Sequence, residues 1–271
     1  MRQSAEHDAP GSGKNGSGTI GKSLAVLDLV ARHARPVRFG VLLQEADFPK
    51  ATLYRLLQTL VAENLLSYDP EQQTYAPGLR LVRLAHSAWA TASLAPIARP
   101  HLDALSAATG HTVHLAQLDA AQVLYVDKRN AREPIPMFSQ AGKVGPAYCT
   151  GVGKAMLAFL PEADLGPVLA QQSYHVFTPG TLATRADLEA ELTALRARGH
   201  AYDREEHETG IICIAHPIRT ATGRVLGAIS ITGTTAHMRE SDLDAFVPLL
   251  RETSGQIARE AESWRFPDTN T

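Results

Sequence analysis

Residues 48–66 read FPKATLYRLLQTLVAENLL, and the spacing inside this run decides how the rest of the chain is read. Leu53, Leu56, Leu57, Leu60 and Val61 fall at i, i+3, i+4, i+7 and i+8, which places them on one side of a helix with Pro49 in its first turn. That side is expected to face a core. Lys50, Thr52, Tyr54, Arg55 and Gln58 lie on or near the other side, with Ala51 beside them. Cations and hydrogen-bonding tips in that arrangement can reach phosphate oxygens or base edges. An amphipathic helix with a merely solvated polar face carries the same pattern, so the flanking sequence has to decide.

Upstream, residues 23–33 carry Leu24, Leu27, Val30 and Ala31 at helical spacing, and residues 40–45 form a short second helix holding Val41, Leu42 and Leu43. Ala46, Asp47 and Phe48 make a tight turn in which Asp47 tolerates a left-handed backbone, and the third helix then begins. This is helix-turn-helix spacing. Downstream, residues 65–68 and 74–76 are short strand candidates joined by the turn DPEQQ, a hairpin placed to act as the wing of a winged helix.

Three helices, the PKATLYRLLQTLVAENLL run, TYAPGLRL (74–81), AYCTGVGKAMLAFLP (147–161) and AYDREEHETGIICIAHPI (201–218) occur in this order. Together they resemble the IclR family of bacterial transcriptional regulators, and the resemblance covers residues 19–264. Members usually carry Gly where this chain has Asp47. The resemblance implies an α+β protein. Its parts are a winged helix-turn-helix at 19–78, a linker helix at 79–95 that also helps dimerise the DNA-binding part, and a GAF-like effector-binding domain with an antiparallel sheet at 96–265. A tail at 266–271 follows. For the DNA-binding face it implies Lys50, Ala51, Thr52, Tyr54, Arg55 and Gln58.

Composition agrees with such a protein without requiring it. The chain has 271 residues, 44% hydrophobic and 20% charged, enough to bury sizeable cores. Its formal net charge of -2 argues against indiscriminate coating of nucleic acid. Charge is unevenly placed, however: between Lys14 and Arg55 the cations Lys14, Lys22, Arg32, Arg35, Arg38, Lys50 and Arg55 outnumber the acids Asp28, Glu45 and Asp47. Two cysteines are too few for a disulfide framework. No apolar run approaches the roughly 20 residues needed to span a bilayer. The N-terminus lacks an apolar signal core, so the expected location is cytoplasmic, with no membrane partner.

Residues 1–18 are small and polar, and a disordered arm is expected. Gly16 to Ser23 satisfies the P-loop pattern, and Gly11 to Gly16 the dinucleotide pattern. Both need a buried strand feeding the loop, and EHDAPGSGK is not one, so no nucleotide cofactor is expected. Lys14 and Lys22 are instead placed to touch phosphates beside the domain.

After the wing, residues 79–92 present Leu81, Leu84, Ala85 and Ala88 at helical spacing, with Trp89 either an interface anchor or a core residue. Pro96 and Pro100 bracket the start of another helix that ends at Gly110. From Thr112 the period changes to two. Residues 113–118 and 122–127 read as paired strands around the turn Asp119-Ala120-Ala121, and residues 210–217 and 225–232 as two more. Helices are expected over 151–159, 185–198 and 241–264. Hairpins with helices between them indicate an antiparallel sheet with helices packed on it.

Three chemistries compete in this second half. Ser230 and Thr232 point to one face of their strand, as do Ile211 and Cys213 on theirs, making a mixed polar and apolar lining. Gly151, Val152 and Gly153 open a helix whose free N–H groups can accept a carboxylate. The same small residues also permit close helix-to-sheet packing. The resemblance implies effector contacts at Met137, Gly151, Val152, Asp203, Ile211, Cys213, Ser230 and Thr232, and PAYCTGVGKAMLAFLP is closest to members that handle sugar acids. Asp203, in the charge run 203–206, would accept hydroxyl hydrogen bonds. A metal site is not expected: His111, His114, His200, His207, His216, Cys149 and Cys213 show no convincing ligand spacing, and His111 and His114, three apart on a strand, face opposite ways. Nor is catalysis. Cys149 at a helix start has a dipole to favour its thiolate, but no triad spacing supports a nucleophile.

The reading is therefore a ligand-responsive DNA-binding regulator that acts on an inverted-repeat operator as a homodimer or dimer of dimers and responds to a small organic or sugar acid. The alternative is a sensor module acting through a protein partner, with the helical region used for docking.

Overall fold

The leucine run folds as expected and the first unit is built around it. The computed structural model describes residues 18–133 and 136–262, in two units, Met1–Thr91 and Ala92–Thr271. The division falls inside the segment read as a linker. The expected arm over 1–18 lies outside the described residues except for Gly18, as do the tail and the end of the last helix. Of the P-loop pattern, Thr19 to Ser23 are helical.

In the first unit α1 (Thr19–Ala31), α2 (Phe39–Glu45) and α3 (Lys50–Ala62) enclose a core with a small sheet of β1 (Val37–Arg38), β2 (Leu66–Asp69) and β3 (Thr74–Pro77). Leu53, Leu56, Leu57 and Leu60 of α3 are buried against Val26, Val30 and Leu42, while Val61 is half-buried. Pro49 stands at the N-cap, one position before the first turn, and its carbonyl accepts the Leu53 N–H at 3.0 Å. The turn between α2 and α3 uses no left-handed residue: Ala46 is extended, with φ −89° and ψ 135°, and Asp47 does not have positive φ. Asp in place of the family's Gly is therefore free of backbone strain.

The end of α3 does use one. Asn64 has φ 58°, Leu65 N–H donates to Leu60 O, and Asn64 N–H donates to Val61 O, both at 2.9 Å. This is a Schellman stop with Asn as the left-handed residue. It aims the chain into β2, which pairs antiparallel with β3, and β3 pairs in turn with β1, a two-residue strand the periodicity did not reveal. The Asp69 carboxylate closes the wing turn by accepting the Glu71 and Gln72 N–H groups. α4 (Leu79–Ala92) follows with the expected bounds, and none of its residues is buried; Leu79 is 82% exposed and Val82 64%.

The second unit is a six-stranded antiparallel sheet in the order β6-β5-β4-β9-β8-β7. The strands are β4 (Thr112–Asp119), β5 (Gln122–Arg129), β6 (Val144–Pro146), β7 (Ala201–Arg204), β8 (Ile211–Arg219) and β9 (Val225–Thr234). The helices are α5 (Ala95–Thr109), α6 (Gly151–Leu157), α7 (Glu162–Ala170), α8 (Arg185–Arg198), α9 (Glu240–Leu243) and α10 (Val247–Glu260). Strand alternation sorts them. Cys213 and Ala215 of β8 lie against Gly151 of α6, whereas His216, on the opposite face, bonds Ser254 of α10 at 2.7 Å. With α5 packed on α10 and α8 on α6, the sheet is covered on both faces.

One expectation is corrected here, and one helix is new. The helix read as continuous over 241–264 is interrupted by a 3₁₀ turn at Asp244–Phe246 before α10 restarts. Pro248 has no N–H to continue the ladder, so it sits in the first turn of a new helix. α7, which carries Gly166 and Pro167, was not anticipated because those residues obscure its period.

Candidate functional site

The exposed side of α3 contributes to a groove of about 880 Å³ in the first unit. Lys50, Ala51 and Tyr54 line it from α3; Arg38 lines it from β1, and Gly40 and Gln44 from α2; Tyr68, Gln73 and Tyr75 close it from the wing. Phe39 supports Tyr54 edge-on at 6.1 Å, and Tyr68 packs against Tyr75 at 4.9 Å. Of the expected DNA contacts, Lys50, Ala51, Tyr54, Arg55 and Gln58 are exposed and Thr52 is half-buried. Thr52, Arg55 and Gln58 lie outside the groove. The Tyr75 hydroxyl pKa is raised by burial and then by Tyr68. Arg38, Gln44 and Gln73 are additions; their proximity depends on the packing of α2 and the wing, which has no signature in one segment.

The second unit encloses a separate cavity, and sheet register explains its lining. Asp203 on β7 pairs with Cys213 on β8, which pairs with Thr232 on β9; one step along, Ser230 on β9 pairs with His114 on β4. These side chains emerge on the face beneath α6. Gly151 closes over them: a Cβ there would stand 2.5 Å from Cys213 Sγ and 3.6 Å from Asp203 Cβ. Met137, Gly151, Val152, Asp203, Ile211, Cys213, Ser230 and Thr232 all line this one cavity. Its space for solvent is about 30 Å³, room for a water or two.

Six further lining residues escaped the sequence: His114, Tyr125, Ser139, Thr150, His207 and Glu208. His114 is the instructive miss. His111, paired with it in the strand argument, precedes β4 and stacks edge-on to Phe246 at 5.3 Å, whereas His114 is buried on the cavity floor. Only the β4–β9 register, which joins residues more than a hundred positions apart, places it beside Ser230.

The electrostatics of the lining are unusual for a site that takes an acid. Among the described residues it contains no Lys or Arg, and two carboxylates, Asp203 and Glu208. Burial, and then the nearby Glu206 carboxylate, push the Asp203 pKa up to about 7. Burial also pushes Glu208 up, but the His207 side chain and the Phe138 N–H outweigh it and hold that carboxyl below its ordinary range. His114 is pulled down to about 3 by burial and then by the Lys128 ammonium, so its ring is neutral. Gly151 packs directly against Cys213 and Ala215 of β8, and α6 is only seven residues long. The helix start is thus engaged with the sheet, and the close-packing role of the glycines is realised together with the lining role. The expected dipole-stabilised thiolate at Cys149 is corrected: burial, then Asp203 and Glu206, raise that thiol well above its ordinary pKa. Cys213 is raised likewise. No group of three metal-ligating side chains converges among the described residues.

A basic groove formed with the third helix and a wing, and a second unit enclosing a small mixed-polarity cavity, together define a DNA-binding regulator with a sensor domain. The chain matches the IclR helix-turn-helix domain over residues 19–70 and the Bacterial transcriptional regulator IclR C-terminal domain over residues 86–259. It is 31% identical to the HTH-type transcriptional regulator XynR of Escherichia coli (strain K12) over 241 residues, 89% of this chain and 96% of that one. The crystal structure of the Thermotoga maritima IclR superposes with a TM-score of 0.71 at 28% identity, covering 89% of this chain and 98% of that one. An IclR homologue from Microbacterium hydrocarbonoxydans, complexed with 4-hydroxybenzoate, shares the fold with a TM-score of 0.76 at 20% identity, covering 91% of this chain and all of that one. The protein belongs to the IclR family of transcriptional regulators. A sensor working only through a protein partner would leave its helix-turn-helix domain without a task.

Proposed function

We propose that this regulator binds an inverted-repeat operator through Lys50, Ala51, Thr52, Tyr54, Arg55 and Gln58, and that a small organic or sugar acid in the second unit modulates that binding. The observation that carries the effector half is the convergence of Met137, Gly151, Val152, Asp203, Ile211, Cys213, Ser230 and Thr232 on one cavity. The complex of the Microbacterium homologue with 4-hydroxybenzoate supports a hydroxylated acid as the ligand class. With no cation in the lining among the described residues, the acid brings its charge to hydroxyls, to N–H groups and to an Asp203 that is half protonated near neutrality and can donate to a carboxylate. At about 30 Å³ the cavity must widen to admit such a molecule, and this links occupancy to a change of conformation.

The functional assembly is a homodimer or dimer of dimers. Two winged helices then read half-sites about one helical turn, ~34 Å, or a multiple apart. The apolar positions Leu79, Val82 and Leu84 that α4 leaves exposed suit it as the dimerising lever. An effector shifts operator affinity only by its differential affinity for two arrangements of the assembly. No described helix is long and apolar enough to cross a membrane, which agrees with action on DNA in the cytoplasm.

The test is a fluorescence-polarisation titration of the full chain on DNA flanking its gene, with and without sugar acids, small keto acids and aromatic acids. A specific complex that survives competitor DNA, weakens steeply with salt and shifts with one acid class is expected. Affinity unchanged by every acid, together with an unmoved melting temperature, overturns the effector half.

A further inference from the structure

His114 has three side-chain hydroxyls within reach of its two ring nitrogens. Its Nδ1 lies 3.3 Å from both Ser230 Oγ and Thr232 Oγ1, its Nε2 lies 2.7 Å from Ser139 Oγ, and its ring sits edge-on to Tyr125 at 5.5 Å. The imidazole is wholly buried and neutral, so one ring nitrogen donates and the other accepts.

The three hydroxyl partners differ in how firmly they are held. Ser230 and Thr232 belong to β9, an interior strand paired on both sides, and moving either breaks ladder bonds to β4 or β8. Ser139 belongs to no strand or helix. Its segment is tied down by a few separate bonds: Lys128 Nζ to the Ser139 carbonyl at 2.8 Å, the Phe138 N–H to the Glu208 carboxylate at 2.9 Å, and the Ser139 hydroxyl to His114. A molecule entering a cavity of about 30 Å³ has to displace something, and Ser139 is the polar partner free to yield.

We propose that His114 selects the effector of this protein by hydrogen-bonding a hydroxyl group of the ligand in place of the Ser139 hydroxyl. This rests on the small-acid reading above and assigns recognition of the acid's hydroxyl to His114. A hydroxyl both donates and accepts, so it replaces the serine whichever nitrogen carries the proton. A deoxy analogue leaves a buried ring nitrogen unpaired, and sites built to bond a substrate hydroxyl reject such analogues strongly.

Isothermal titration of the full chain with matched pairs, lactate against propionate and 4-hydroxybenzoate against benzoate, tests the proposal. The pair used is the one whose hydroxylated member raises the wild-type melting temperature. Wild type is expected to favour the hydroxylated member by about tenfold or more. His114→Phe keeps a ring against Tyr125 and removes both nitrogens; it should bring the ratio within about threefold, because no ring nitrogen is then left unpaired by the deoxy acid and none is there to bond the hydroxyl of its partner. Ser139→Ala removes the internal competitor and should tighten the hydroxylated acid, by roughly threefold to tenfold. Loss of a merely structural bond would not produce that gain. Unchanged discrimination in His114→Phe, or weaker binding of the hydroxylated acid to Ser139→Ala, overturns the proposal, and the serine variant decides alone if the phenylalanine variant does not fold. If a deoxy acid binds as tightly as its partner, only the role of His114 is lost; if no acid binds wild type, the small-acid reading falls and takes this inference with it.

Discussion

The Lys154 ammonium meets the Glu206 carboxylate inside the second unit, where their side chains are 0% and 4% exposed. The pair joins α6 to the loop after β7, which also supplies His207 and Glu208 to the cavity. Glu206 Oε2 has no hydrogen-bond partner among the described residues, while its backbone carbonyl accepts the Thr181 hydroxyl at 2.6 Å. Removing one member of a buried pair strands the other charge. Lys154→Met is therefore expected to destabilise by about 3–5 kcal/mol in urea unfolding, and Lys154→Met combined with Glu206→Leu by much less. Equal losses in the single and double variants would show that the pair is held by something other than mutual charge.

Asp203 makes stability depend on pH. Its folded pKa is raised from 3.8 to about 7, so between those values the folded chain keeps a proton that the unfolded chain has released. Its contribution is fully present below about pH 4 and is lost as pH rises through about 7. Asp203→Asn, which can still accept the Glu206 N–H, should match wild type near pH 4. Above pH 7.5 it should be more stable by on the order of a few kcal/mol. Melting curves from pH 4 to 8.5 that stay parallel for the two proteins would refute this.

Neighbouring residues on α3 should fail in different assays. Leu56 is buried and Arg55 exposed. Leu56→Ala is expected to cost roughly 2–5 kcal/mol of stability. Arg55→Ala is expected to leave the melting temperature in place and to cost about 1–3 kcal/mol of operator affinity if it reads a base. An Arg55→Ala protein that binds operator normally has no such contact to lose.

Two glycines should be intolerant for separate reasons. A Cβ on Gly153 would lie 2.3 Å from the Ala147 carbonyl oxygen, so Gly153→Ala forces α6 to shift, at a cost of about 1–3 kcal/mol or more. Gly199 has open space around it but sits at φ +85°, the left-handed stop of α8. Gly199→Ala should therefore lose on the order of 1 kcal/mol from backbone strain alone. Chemical denaturation reads both losses, and calorimetric titration with an acid separates the cases: Gly153→Ala should alter binding and Gly199→Ala should not.

The α3 leucines, the two wing strands to within a residue, the bounds of α4 and α8, and the glycine stop at 110 were legible in the sequence by itself. Each is a local matter, in which period, cap or steric preference acts within a few residues. The same holds for the polar side of α3, whose exposure follows once its leucines are buried. Tertiary structure alone decided that Arg38 and Gln73 flank the α3 groove, that His114 stands beside Ser230, and that Cys149 is a buried thiol. Those facts depend on strand register and on which helix covers which sheet face. A carboxylate's charge state or an imidazole's partners are set by atoms brought close from distant parts of the chain, and the free energy of desolvating them has no counterpart in the order of residues.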